Sequence, residues 1–92
     1  MTVTVQNAQQ IWDNASETHR NEAMHALMRE ASRSRMSARR RARQGIYDHA
    51  EKLNRRADTM LAAMVLLGAE NIEEIQENIE EIHQIVDNKV AV

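Results

Sequence analysis

Ninety-two residues make one domain or less, near the size at which a lone hydrophobic core is thin and self-association is a common remedy. The absence of cysteine excludes a disulfide framework, a thiolate zinc site and a cysteine nucleophile, and fits an intracellular, cytoplasmic protein. Net charge is only −2, but it is segregated: Arg20 to Arg56 carries eleven basic against four acidic residues, and Ala57 to Val92 one against eight, so the chain either pairs with itself or shows one face to an anionic partner.

The chain has no proline and is rich in Ala, Glu, Arg, Met and Ile, which points to an all-α protein. Its longest apolar run, Met60 to Leu67, falls far short of the roughly 18 residues that cross a bilayer. The opening Met-Thr-Val-Thr-Val lacks the basic flank and long apolar stretch of a secretory signal. A soluble chain is the expectation.

Residues 1 to 4 are expected to be extended or frayed. Over 5–15, Val5, Ala8, Ile11, Trp12 and Ala15 share one face of a short amphipathic helix, with Trp12 its anchor in a core or interface. Asn14 with Glu17, or Ser16, can start a second helix over 17–44. Met24, Leu27, Met28 and Ala31 form its apolar stripe, and Ala31, Ser34, Ala38, Ala42 and Gly45 continue it as a face of small residues among arginines. The break into the third helix falls either near 32–37 or at Gly45.

The third helix, over 46–67, repeats Ile46, Ala50, Leu53, Ala57, Met60, Met64 and Leu67 at heptad spacing. Gly68 suits the left-handed residue that ends a helix, and Asn71 with Glu74 can cap a fourth helix over 71–88. That last stretch writes one heptad almost twice, with isoleucine at 72, 75, 79 and 82. An antiparallel hairpin of the last two helices would match Leu67 with Ile72, Met64 with Ile75, Met60 with Ile79, Ala57 with Ile82 and Leu53 with Val86. Two further helices precede it, and the whole is expected to form a helical bundle completed by dimerisation, with Trp12, Met60, Met64, Ile72, Ile75, Ile79 and Ile82 as self-association residues.

The arginine run carries the functional expectation. If the hairpin pairs as above, Arg55 and Arg56 fall near Glu80 and Glu81, whereas Arg33, Arg35, Arg39, Arg40, Arg41 and Arg43 project past the end of the fourth helix, beyond its acids. Arginine forks bind carboxylate or phosphate with two hydrogen bonds. The leading expectation is a non-catalytic interaction protein, an inhibitor, adaptor or assembly factor of the kind small phage and mobile-element proteins supply, with those six arginines as contact surface. The alternative is nucleic-acid binding to duplex DNA or structured RNA. Over about a dozen residues the run resembles, in composition, the arginine-rich helical motifs of phage antitermination proteins, and the resemblance implies an RNA hairpin as ligand.

A remote alternative is a di-metal bundle, because Glu22-Ala-Met-His25 and Glu80-Glu-Ile-His83 have the Glu-x-x-His spacing of ferritin-like sites. Asp13, Glu17, Glu51 or Asp58 would then have to supply the remaining ligands. No metal or cofactor is expected. The serines at 32, 34 and 37 have no base or oxyanion device beside them, and there is no glycine-rich phosphate loop, so catalysis is not expected either.

Overall fold

The computed structural model describes residues 2–90, and side chains as far as residue 85. Four helices follow in order: α1 Ala8–Asn14, α2 Glu17–Arg43, α3 Tyr47–Leu66 and α4 Ile72–Val90. The all-α expectation is met among the described residues; the first helix starts at Ala8 rather than at 5, so Val5, expected on its apolar face, lies outside it and is 94% exposed. The expected pair Leu53–Val86 falls outside the described side chains.

Both glycines act as helix stops. Gly45 (φ +78°) and Gly68 (φ +104°) adopt the left-handed conformation that costs a side-chain-bearing residue strain. At the first stop the amide of Ile46 donates to Arg41 O at 2.8 Å and that of Gly45 to Ala42 O at 3.0 Å. The second repeats the pattern, with Ala69 N to Met64 O at 2.9 Å and Gly68 N to Val65 O at 3.0 Å. These are Schellman motifs, which satisfy carbonyls a helix end would leave orphaned. Helix α2 therefore runs unbroken through 32–37 and ends at Gly45. At its other end the Ser16 hydroxyl accepts from His19 N at 3.1 Å, so Ser16 rather than Asn14 is the cap.

The closest pairing in the molecule is α2 with α3. Ala31, Ser34 and Ala38 on α2 and Ala50 and Ala57 on α3 are all buried, and side chains this small let two helix backbones approach closely. Ser34 Oγ donates to the backbone oxygen of Leu53 at 2.7 Å, which satisfies the one hydroxyl in that seam. The core proper lies toward the Gly68 end, where Ala31, Ala57, Leu61, Met64 and Ile79 cluster under Met24, Leu27, Met28, Met60, Ile72 and Ile75.

This corrects the expected arrangement. The frame is the hairpin of α2 and α3, built on the small-residue face, while α4 touches both helices at fewer backbone positions because its isoleucines hold it farther off. Ile72, Ile75 and Ile79 do face inward, but the next inward residue is His83, 1% exposed, and Ile82 is turned out at 52%. A straight α-helix has 3.6 residues per turn and drifts about 20° per heptad, so a seven-residue repeat stays on a seam only when the helix supercoils around one partner. Lying over two helices, α4 does not follow the heptad.

The molecule is a rod of 48 × 24 × 20 Å with a radius of gyration of 15.8 Å, against about 12 Å for a compact domain of this length. Trp12 is half-buried, and α1 makes no extensive contact with α3 or α4.

Candidate interaction surface at the α2–α3 turn

The six arginines of the run have different fates. Arg35 is held inside the hairpin: one guanidinium nitrogen reaches Asn54 Oδ1 at 3.1 Å and the other pairs with Asp58. Arg39 pairs with Glu80 of α4. Arg33 pairs with Glu30 one turn away at 2.7 Å. The expected layout, all six guanidiniums beyond the reach of the acidic half, is therefore corrected: α2 runs alongside α3 and α4 instead of projecting past them, which brings Asp58 and Glu80 within reach. The expected pairing of Arg55 and Arg56 with the α4 acids is corrected as well, since Arg55 pairs with Glu51 at 2.6 Å and Arg56 approaches Glu30 at 3.8 Å.

The remaining arginines gather at the turn. Arg40 Nη2 lies 3.4 Å from Met36 Sδ and Arg41 Nη1 donates to Gln44 Oε1 at 3.0 Å, both neutral partners. Arg43 is exposed in the same last helical turn. Next to them the Schellman motif turns the chain outward, leaving Ile46 44% and Tyr47 71% exposed. Lys52 and His49, also exposed, follow on α3, with Asp48 and Glu51 among them. Helix α2 ends here, so the carbonyls of its last turn favour these cations.

Sequence periodicity puts Ile46 in a buried seam, but Ile46 follows the left-handed Gly45, where the chain changes direction and leaves the seam. Tyr47 has no periodic signature and could not have been singled out that way.

The Glu-x-x-His pairs do not form a metal site. Glu80 is turned to Arg39, while His83 is buried with Nε2 at 3.1 Å from Ser32 O. Glu22 and His25 are exposed on α2. Among the described residues no three His, Asp or Glu side chains are grouped to hold a metal ion, and no helix is long and apolar enough to cross a membrane. Comparison with protein-family models, curated proteins and solved structures finds no match to the chain.

Proposed function

We propose that the chain is a non-catalytic interaction protein, an inhibitor, adaptor or assembly factor, that works as a homodimer and holds an acidic protein surface against its α2–α3 turn. The observation that carries this reading is the exposed pair Ile46 and Tyr47 just past the turn that ends α2, whose last helical turn holds Arg40 and Arg41, guanidiniums that meet no carboxylate among the described residues. Tyrosine and arginine are the residue types that most often anchor protein interfaces. Two hydrogen bonds already fix the turn, so little conformational freedom is lost on docking.

Nucleic acid is the second reading, supported by the same unmatched guanidiniums. It is the weaker one because Arg35 and Arg39 are engaged by the chain's own carboxylates, which shortens the cationic run available to a phosphate backbone.

The test is purification of the tagged chain from its host beside a variant carrying Arg40→Ala, Arg41→Ala and Tyr47→Ala. A stoichiometric protein that the variant retains at least about thirtyfold more weakly is the expected result. Nuclease-sensitive material lost steeply with salt would favour the second reading, and equal retention by both chains would overturn the assignment to the turn.

A further inference from the structure

The homodimer reading leaves open which face is used, and the structure carries an answer. We propose that the second copy docks in the groove between α2 and α4, about a twofold axis running along the rod; the inference rests on that homodimer reading. The groove is open, about 430 Å³, with Met28, Ile75, Ile79 and Ile82 as its apolar lining, Arg29 on its α2 rim and Glu81 on its α4 rim. Toward the Gly68 end it continues past Met28 and Ile75 into a wider cleft that Met24 also lines. Along α4, Ile82 and Ile85 remain 52% and 50% exposed. Ile75, Ile82 and Ile85 fall on one side of a helix at i, i+7 and i+10, so the stripe is continuous.

Charge points to a second copy as the occupant. Around the narrow groove the two rims carry opposite charge, and neither Arg29 nor Glu81 makes an ion pair with a described residue; the wider cleft, lined by Glu17 and Glu70, adds no such match. A twofold along the rod sets each α2 against the other copy's α4, so the basic rim of one copy meets the acidic rim of the other, twice. A twofold across the rod would instead place α4 on α4 and bring like charges together. The surface is thus self-complementary in one orientation, as an isologous dimer requires.

Sedimentation equilibrium on the full chain tests this at micromolar concentration. The wild type is expected at twice the chain mass of 10.6 kDa. Ile82→Glu should weaken the dimer by at least about thirtyfold with unchanged helical circular dichroism, and Ile85→Glu, farther from the core, provides the same readout should Ile82→Glu unfold. Leu66→Glu, on a face the proposal does not use, should leave the dimer intact. Arg29→Glu and Glu81→Arg should each weaken self-association, and an equal mixture of the two chains should restore it, because both inter-chain pairs are then of opposite sign. A wild type that stays monomeric would overturn the homodimer reading together with this one. A dimer indifferent to Ile82→Glu and Ile85→Glu would overturn the groove alone, and a mixture that fails to recover would overturn the lengthwise twofold.

Discussion

His83 Nε2 lies 3.1 Å from the backbone oxygen of Ser32, across 51 residues of sequence, with the Ser32 hydroxyl 3.4 Å away. A carbonyl oxygen only accepts, so the imidazole carries its proton on Nε2 in this contact. The ring is buried where the heptad would have placed an isoleucine one residue earlier, and it ties the middle of α4 to the middle of α2. His83→Ala removes the ring and the bond together and should cost about 2–4 kcal/mol, read as a lower urea midpoint.

The α2–α3 seam is closed by residues with almost no side chain, Ala31 and Ala57 both at 0% exposure. Ala57→Leu, which helix propensity alone would tolerate, should force the two helices apart and cost about 1–3 kcal/mol or more. The thermal midpoint reports it, and Ala62→Leu on the exposed side of the same helix is the control that should change little.

Gly45 and Gly68 have open space where a Cβ would stand, so alanine there meets no clash and the penalty is backbone strain alone. Each Gly→Ala substitution should cost about 1–2 kcal/mol. The two sites lie at opposite ends of α3, so the double variant should show the sum within about 0.5 kcal/mol in equilibrium unfolding.

The arginines should separate by role. Arg35→Ala breaks bonds to Asn54 and Asp58 at a side chain only 21% exposed and should lower stability by about 1 kcal/mol. Arg40→Ala and Arg41→Ala, with neutral partners at the surface, should stay within about 0.5 kcal/mol of wild type in the same unfolding series.

Much of this frame was legible in the residues. The helix starts and stops follow from Ser16, Gly45 and Gly68, because capping and left-handed turns are local chemistry. The small face at Ala31, Ser34 and Ala38 is visible too, but the isoleucine heptad is the stronger pattern and points to α3 and α4 as the close pair, where the structure has α2 and α3. Periodicity says which residues turn inward; it does not say which helix they meet, since close packing of alanines and wider packing of isoleucines both satisfy it. The fate of Arg35 and Arg39 was beyond reach for the same reason, as it depends on which helices run side by side.

The claim on which the rest depends is that α2 and α3 form the frame and α4 is laid over it. Native-state hydrogen exchange, resolved by residue, measures this most directly, since amides that open only with global unfolding mark the most stable unit. The expected result is strongest, shared protection for 31–38 and 50–64, weaker protection for 72–83, and rapid exchange in 8–14. Strongest shared protection in 50–64 and 72–83, with 31–38 exchanging early, would make the last two helices the frame and contradict the account.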